Sequence, residues 1–243
     1  MKLTIIGAGA MAMAIAKGLE DKFDIEFVVR DMSKVDKSYT VFALDNFDIN
    51  NKNIILAVKP YALSEVASKL KGKAQTLYSV LAGTSIETLR ENIKANYYIR
   101  TMPNISAKFG KSTTVITGDI QKREEAIEIF SNIGDTFWVD TQKEIDIATA
   151  VAGSGPALLA LVAEAMMDGL VREGMKRVDA IEITNSLFKG FSPLLASNHP
   201  AIIKDMVMSP AGTTASAYSM LEDRAVRGAF IQAIREAFQK TQK

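Results

Sequence analysis

A glycine-rich turn near the N-terminus constrains the fold more than any other feature of this 243-residue chain. A short apolar run, residues 3–6, leads directly into the string GAGAMA, residues 7–12, and a helical pattern follows. In this context G-x-G-x-x-G/A indicates a dinucleotide site: Gly7 permits the tight turn, Gly9 lets the backbone approach a pyrophosphate, and the small Ala12 lets the helix pack on the strand. N–H groups at the helix start would hold the anion. The alternative is a purely structural turn.

Strand-like and helix-like segments alternate through the first half of the chain. Strands joined by helices of this length predict crossover units and a mostly parallel sheet with helices on both faces. Residues 31–53 are polar and too short for a full crossover helix. The predicted strands are 3–6, 25–29, 54–58, 76–80, 97–101, 113–117 and 137–139, and the predicted helices are 10–20, 62–70, 86–93 and 122–133.

The second half changes character from about Glu144, where strand signals stop and apolar residues recur at helical spacing. Residues 157–167 are apolar on nearly all faces, so a helix there must be buried on all sides. A helical half of about 100 residues cannot easily bury it alone, and we infer a partner chain. Further helices are expected over 178–196, after Pro200, and over 213–221 and 223–239.

Composition excludes several classes of function. The net charge of +1 supplies no field for non-specific binding of nucleic acid. The absence of cysteine excludes disulfides, thiolate metal sites, iron–sulfur clusters and a cysteine nucleophile. The single histidine, His199, argues against His-rich metal sites and Ser-His-Asp hydrolysis. No unbroken apolar run reaches the roughly 18 residues of a membrane helix, and no signal peptide is recognisable, so a cytoplasmic location is expected.

Charged residues at the end of the second predicted strand bear on the choice of nicotinamide cofactor. NAD enzymes usually place an acidic residue there to bind the ribose hydroxyls. Here Val29 is followed by Arg30, with Ser33 and Lys34 close behind. Arg30 can pair with a 2′-phosphate bidentately, which favours NADPH, while the adjacent Asp31 leaves NADH open. The alternative is a solvated charged turn.

The string SPAGTT, residues 209–214, forms a second candidate site between two helical segments. Gly212 permits close backbone approach, and the N–H groups of Ala211, Gly212 and Thr213 would open the next helix. Such a turn can hold a carboxylate through backbone donors and the helix dipole, and Thr214 adds a hydroxyl. The alternative is a helix cap and nothing more.

No catalytic base is identifiable in the sequence. His199 lacks a carboxylate partner and is expected in a turn or a helix cap. Dehydrogenation of an alcohol commonly needs a positioned base. Reduction of a cyclic imine needs less, because protonation of the nitrogen already activates the carbon toward hydride and one hydroxyl bonded to that nitrogen is enough.

Eight short motifs run in order from about residue 7 to residue 230. They are GAGAMA, AVKP (57–60), AGTS (82–85), RTMPN (100–104), AGSGPA (152–157), HPAIIKD (199–205), SPAGTT and LEDRAVRGAF (221–230). In content and order these motifs resemble the pyrroline-5-carboxylate reductase family, and AVKP, RTMPN and SPAGTT together are far more specific than the glycine motif.

The resemblance implies an oxidoreductase that reduces 1-pyrroline-5-carboxylate to L-proline with NAD(P)H, the last step of proline biosynthesis. It implies an α/β fold with an N-terminal Rossmann-type, mostly parallel sheet over residues 1–142. A C-terminal all-α dimerisation and substrate-binding domain would cover residues 143–243. Family members form a homodimer or a ring of dimers and build the active site from both domains and both chains. No metal, nucleic acid or membrane is required.

Roles for single residues follow from the resemblance by motif. The pyrophosphate would lie on Gly7, Ala8, Gly9, Ala10 and Met11, and the adenosine end on Arg30 and Ser33. The nicotinamide end would be lined by Ala57, Val58, Lys59, Pro60 and Ala82. Ser209, Ala211, Gly212 and Thr213 would bind the substrate carboxylate. Thr214, the catalytic residue, would form a hydrogen bond with the ring nitrogen during direct hydride transfer from nicotinamide C4 to ring C5.

The chain departs from the family pattern at four positions. Tyr61 stands where relatives often have Gln, Ala211 and Ala225 stand where Gly is frequent, and Met206 stands where some relatives have a polar residue. Ala211 would narrow the carboxylate pocket if its φ is positive.

Two other functions stay open at this point. A reductase of the 3-hydroxyacid dehydrogenase type would want a catalytic lysine in the helical half, where Lys176, Lys189 and Lys204 stand in ordinary charged contexts. Lys204 in particular is expected to form a solvated pair with the adjacent Asp205. A non-catalytic sensor would bind NADPH but would not need the SPAGTT turn.

Overall fold

The computed structural model describes residues 1–242, which form two compact units. The first unit contains residues 1–156 together with the C-terminal residues from Glu236 onward, and the second contains residues 157–235. The predicted domain boundary, between residues 142 and 143, falls at the start of a helix that this division keeps in the first unit. That boundary stays a prediction.

The first unit is built on an eight-stranded sheet. Its strands are β1 Lys2–Ile6, β2 Asp24–Val29, β3 Thr40–Ala43, β5 Asn53–Leu56, β7 Ala74–Ser79, β8 Ala95–Met102, β9 Ser112–Gly118 and β10 Gly134–Trp138; β4 Phe47–Asp48 and β6 Leu70–Lys71 form a separate pair. The order is β10-β9-β8-β7-β5-β1-β2-β3. All neighbours are parallel except β8 and β9, which are antiparallel. The mostly parallel Rossmann-type sheet is therefore confirmed.

Apolar strands buried on both faces explain this sheet. Along β1, Ile5 belongs to one core cluster, which also contains Ile15, and the next residue, Ile6, belongs to the other, which also contains Leu89. Successive side chains of a strand point to opposite faces, so helices must cover both. The helices of this unit are α1 Ala10–Leu19, α2 Leu63–Ser68, α3 Ile86–Asn92, α4 Arg123–Phe130 and α5 Gln142–Ala152.

One carboxylate, that of Glu26 on β2, is buried in this sheet. Thr4 Oγ1 donates to it at 2.7 Å and Lys52 Nζ at 2.8 Å. Burial alone would raise the pKa of Glu26, but the hydrogen bonds from Lys52 and Thr4 and the charge of Lys52 outweigh it and hold the pKa below its ordinary value. The ionised form therefore stabilises the fold above the pKa of the unfolded chain, and this contribution is lost as pH falls through the folded pKa.

We expect Glu26→Gln to lower the free energy of unfolding by about 1–3 kcal/mol at pH 7, because Lys52 loses its charged partner. The variant should also lose less stability than the wild type between about pH 5 and pH 3, since the depressed pKa no longer contributes. Urea unfolding at both pH values measures this. Glu91→Gln, an exposed change on α3, is the control, and parallel stability–pH curves for wild type and Glu26→Gln would contradict the assignment.

The second unit is helical, as predicted. Its helices, the first and last of which extend into the other unit, are α6 Gly155–Arg172, α7 Arg177–Ser197, α8 Pro200–Val207, α9 Thr213–Asp223 and α10 Val226–Thr241. Pro200 occupies the first turn of α8, and His199 Nδ1 accepts the Ala201 N–H at 3.2 Å. The expectation that His199 caps a helix is thus confirmed.

These helices bury very little within one copy of the described chain. Among the residues of α6 to α10, only Ala180 and Thr184 on α7 are buried. On α6, Leu159 and Leu161 are 56% and 62% exposed. Apolar faces of this extent mark an interaction surface, which supports the inference that α6 requires a partner chain.

The stretch Gln142–Arg172, which contains α5 and α6, is long and apolar enough to cross a membrane by length and composition alone. It is not an unbroken apolar run, because charged residues such as Glu164 and Asp168 interrupt it, and the sequence pattern therefore did not predict it. Core helices of soluble proteins have the same length and composition, and Gly153 and Ser154 separate the two helices of this stretch.

Candidate active site

The GAGAMA turn has the backbone geometry that a dinucleotide site requires. Gly7 has φ +116°, and a Cβ there would lie 2.4 Å from the Ala57 carbonyl oxygen, so no other residue fits. Its N–H donates to Val28 O at 3.0 Å, which ties the turn to β2. Gly9 has φ −77°, and a Cβ there would meet nothing within 4 Å. Gly7 is therefore fixed by the fold, whereas Gly9 leaves open space above the turn.

The N-terminus of α1 has no side-chain cap among the residues that the structure describes. The first donor within the helix is Met13, whose N–H bonds Gly9 O at 3.1 Å, so the N–H groups of Ala10, Met11 and Ala12 precede it. No side chain caps this helix, and its first turn carries no acidic residue. Free donors and the helix dipole suit a pyrophosphate.

A cavity of about 560 Å³ opens at this turn. It lies where β1, β2, β5, β7 and β8 end, the edge at which parallel sheets bind ligands. All predicted cofactor residues except Ser33 line it: Gly7, Ala8, Gly9, Ala10, Met11, Arg30, Ala57, Val58, Lys59, Pro60 and Ala82. Its size, its apolar walls and the uncapped helix fit a dinucleotide.

Ser33 does not line this cavity. Its N–H and hydroxyl both donate to Asp31 Oδ1, at 3.1 and 2.6 Å. These hydrogen bonds lower the pKa of Asp31, so this carboxylate stays ionised at the cavity wall. Ser33 thus positions Asp31, and a direct contact between Ser33 and the cofactor stays a prediction. Arg30 lines the cavity while its Nη1 contacts both carboxylate oxygens of Glu65, at 3.2 and 3.3 Å.

Several lining residues were not predicted. Met102 ends β8, Pro103 and Ile105 follow it, Tyr61 follows Pro60, and Lys34 lies close to Arg30 in the chain. The RTMPN motif, residues 100–104, could have indicated Met102 and Pro103, but the sequence alone suggested no role for this motif in a cofactor cavity.

The same motif anchors α5. Arg100, buried, donates to Asp146 Oδ1 at 2.6 Å, and the side-chain amide of Asn104 donates to Ala152 O at 2.9 Å. RTMPN therefore holds the cavity wall and ties it to the following helix.

The SPAGTT turn of the second unit resembles the first site in its free donors. Ala211 has the positive φ, +58°, on which the predicted narrowing of the carboxylate pocket depends, and the narrowing itself stays a prediction. A Cβ at Gly212 would lie 2.4 Å from Ser209 Oγ and 3.0 Å from Ser209 O, so a larger residue would force the Ser209 side chain to move. The helix α9 begins at Thr213, has no side-chain cap and carries no acidic residue in its first turn.

The donors available at this turn differ from those expected. The N–H of Gly212 donates to Ser209 O at 3.0 Å, within the turn itself. The first donor inside α9 is Ser216, which bonds Gly212 O at 3.2 Å. The N–H groups of Thr213, Thr214 and Ala215 precede it, so the free donors lie further along the chain than predicted.

Lys204 does not form the predicted solvated pair with Asp205. Its ammonium donates to the Tyr218 hydroxyl at 3.1 Å and lies 5.0 Å from the centre of that ring. The Tyr218 hydroxyl in turn contacts Glu222 and Arg227. A lysine engaged in such a cluster is a poor candidate for the catalytic lysine of a hydroxyacid dehydrogenase.

Family models match both ends of the chain. One described as "Pyrroline-5-carboxylate reductase dimerisation" matches residues 142–243, and one described as "NADP oxidoreductase coenzyme F420-dependent" matches residues 2–83. The first covers the exposed apolar helices α6 to α10, which supports self-association. The second covers the glycine turn and Arg30.

Relatives match along nearly the whole length. Pyrroline-5-carboxylate reductases of Helicobacter pylori (strain J99) and Synechocystis are each 34% identical, covering 98% and 100% of this chain and 98% of each relative. The solved 1-pyrroline-5-carboxylate reductase of Streptococcus pyogenes is 26% identical with a TM-score of 0.89, covering 100% of this chain and 98% of that one. A Plasmodium falciparum pyrroline carboxylate reductase solved with NADP bound shares the fold, at 23% identity and TM-score 0.86, with the same coverage. The chain therefore belongs to the pyrroline-5-carboxylate reductase family of oxidoreductases.

Proposed function

We propose that this chain reduces 1-pyrroline-5-carboxylate to L-proline with NADPH. The observation that carries the proposal is the SPAGTT turn, an uncapped helix start without acidic residues in a chain that also contains a dinucleotide cavity. A substrate that carries both a carboxylate and a ring nitrogen suits free N–H donors beside a hydroxyl. A dinucleotide sensor would need no such turn.

On the cofactor side, the residues 7–11 would hold the pyrophosphate with the free N–H groups of α1. The segment 57–60 and Ala82 would line the nicotinamide end. Arg30 would pair with the 2′-phosphate through the guanidinium nitrogens that Glu65 leaves free. When bound, NADPH supplies the hydride that reduces the ring carbon.

On the substrate side, the N–H groups of Thr213 and its successors would hold the carboxylate, with Ser209, Ala211 and Gly212 shaping the turn. The Thr214 hydroxyl would form a hydrogen bond with the ring nitrogen and so fix the orientation of the ring. Neither role requires proton abstraction from carbon. The contribution of these residues is therefore positioning and electrostatic stabilisation.

The test is NADPH oxidation with 1-pyrroline-5-carboxylate, with L-proline quantified as the product. Parallel assays use NADH in place of NADPH, and a 3-hydroxyacid with NADP. Proline formed in proportion to NADPH consumed is the expected result. Cofactor binding without imine reduction would overturn the proposal, and turnover of the hydroxyacid would favour the dehydrogenase alternative.

We expect Arg30→Ala to lower kcat/KM with NADPH about tenfold to a hundredfold, because a charged hydrogen-bonded pair with the 2′-phosphate is lost. The value with NADH, which lacks this phosphate, should change less than about twofold. Steady-state kinetics with both cofactors measures the ratio. Equal losses with NADPH and NADH would show that Arg30 has a structural role instead.

We also infer that two copies associate through the exposed apolar faces of α6 to α10 as a homodimer, or as a ring of dimers. The exposure of Leu159 and Leu161 supports this. Sedimentation velocity tests it, since the chain alone has a mass of 26.5 kDa. The cytoplasmic location, and independence from nucleic acid and membranes, stay predictions.

A further inference from the structure

We infer that Glu65 is a specificity-determining residue of the cofactor site. Its carboxylate holds the Arg30 guanidinium that a 2′-phosphate needs and thereby limits the preference for NADPH over NADH. The inference rests on the proposed role of Arg30 and goes beyond it by naming the group that opposes that role.

The contact is positioned for competition. Arg30 follows β2 and lines the cavity. Glu65 lies on α2, and the same cavity is lined by Val66 of that helix and by Ala62 just before it. Only Nη1 of Arg30 reaches the Glu65 carboxylate, at 3.2 and 3.3 Å. A bidentate grip on phosphate uses two guanidinium nitrogens. Glu65 therefore occupies one arm of the fork and leaves the other available.

The contact is also weak enough to be displaced. The Arg30 and Glu65 side chains are 61% and 51% exposed. Exposed ion pairs contribute little because water screens them and both side chains lose rotamer freedom. A phosphate dianion offers Arg30 a stronger partner, so binding of the phosphate would break the ion pair between Arg30 and Glu65. The negative charge of Glu65 would nevertheless stay close to the phosphate.

Charge counting at this end of the cavity gives the sign of the effect. Arg30 and Lys34 contribute two positive charges, while Asp31 and Glu65 contribute two negative ones. Ser33 bonds Asp31 and lowers its pKa, so the Asp31 charge persists. The four side chains thus sum to zero against an incoming dianion, and neutralising Glu65 alone leaves a net positive charge.

Glu65→Gln is the test, with binding to adenosine 2′,5′-bisphosphate and to 5′-AMP measured by calorimetry without substrate. We expect the bisphosphate to bind about three- to tenfold more tightly than to the wild type, and 5′-AMP to change less than about twofold. The gain should shrink at about 0.5 M salt, because the charges are exposed. Glu91→Gln removes the same charge from α3, outside the residues that line the cavity, and should leave both affinities unchanged.

Unchanged or weaker bisphosphate binding in Glu65→Gln would overturn the inference. So would an equal gain when Glu65→Gln is combined with Arg30→Ala, since the effect would then not pass through Arg30. If the wild type binds neither nucleotide, the cofactor site itself fails. If both nucleotides bind but Glu65→Gln leaves the ratio of their two affinities unchanged, the proposed function stands and the inference alone fails.

Discussion

Thr214→Ala is expected to lower the rate of imine reduction about a hundredfold, the usual cost of removing one hydrogen-bonding group aimed at a reacting centre. The affinity for NADPH, measured by fluorescence titration without substrate, should change less than about twofold, because the residues proposed for the cofactor lie in the other unit. Thr214 is exposed in the first turn of α9, so the fold should tolerate the change.

Two further variants separate the hydroxyl from the shape of the side chain. Thr214→Val keeps the branched shape and should fall as far as Thr214→Ala. Thr214→Ser keeps the hydroxyl and should retain most of the turnover. Turnover in Thr214→Val equal to that of the wild type would remove Thr214 from the mechanism.

The two glycines of the first turn should respond to alanine in opposite ways. Gly7→Ala places a methyl group 2.4 Å from the Ala57 carbonyl at φ +116°. It should cost about 2–4 kcal/mol of stability and abolish NADPH binding. At Gly9 the backbone suits any residue and no atom lies within 4 Å of the new methyl group. Gly9→Ala should therefore keep the wild-type melting temperature while weakening NADPH binding about tenfold or more, since the methyl group would meet the pyrophosphate.

Calorimetric melting and cofactor titration of the same two proteins measure both quantities. Each variant is the control of the other, because the chemical change is identical. A stable Gly7→Ala protein would contradict the close approach of the Ala57 carbonyl oxygen to Gly7. A Gly9→Ala protein that binds NADPH normally would place the pyrophosphate elsewhere.

The main sheet could be predicted from the sequence because its strands are buried on both faces and therefore read as continuous β-branched runs. The strand β3, Thr40–Ala43, was not predicted, because it is not buried on both faces. It lies at the sheet edge and exposes most of its side chains, and its apolar residues, 41–44, are few and stand within the polar segment 31–53. The antiparallel direction of β9 also left no signal, because local periodicity does not encode the direction of a strand.

The site was predictable where its residues are contiguous. The strings 7–11 and 57–60 line one cavity as expected. The position of Ser33 outside the cavity lining could not be predicted, because its hydroxyl forms a local hydrogen bond with Asp31 instead of facing the cofactor site. The pairing of Arg30 with Glu65 joins elements far apart in the chain and depends on the tertiary fold. Likewise, the use of the Gly212 N–H inside its own turn depends on the positive φ of Ala211, which composition does not reveal.

The discontinuous make-up of the first unit has a consequence for biosynthesis. Its final segment, from Glu236 onward, is made only after residues 157–235, which form the second unit. A Cβ at Gly83 would lie only 2.9 Å from the Thr241 carbonyl oxygen, and the Gln242 amide donates to Asp146 at 3.4 Å. On the ribosome these contacts can form only after the whole helical unit has left the exit tunnel. The nascent Rossmann-type unit is therefore completed only after the second unit has been made, and its last step is the closure of a long loop whose entropic cost grows only slowly with length.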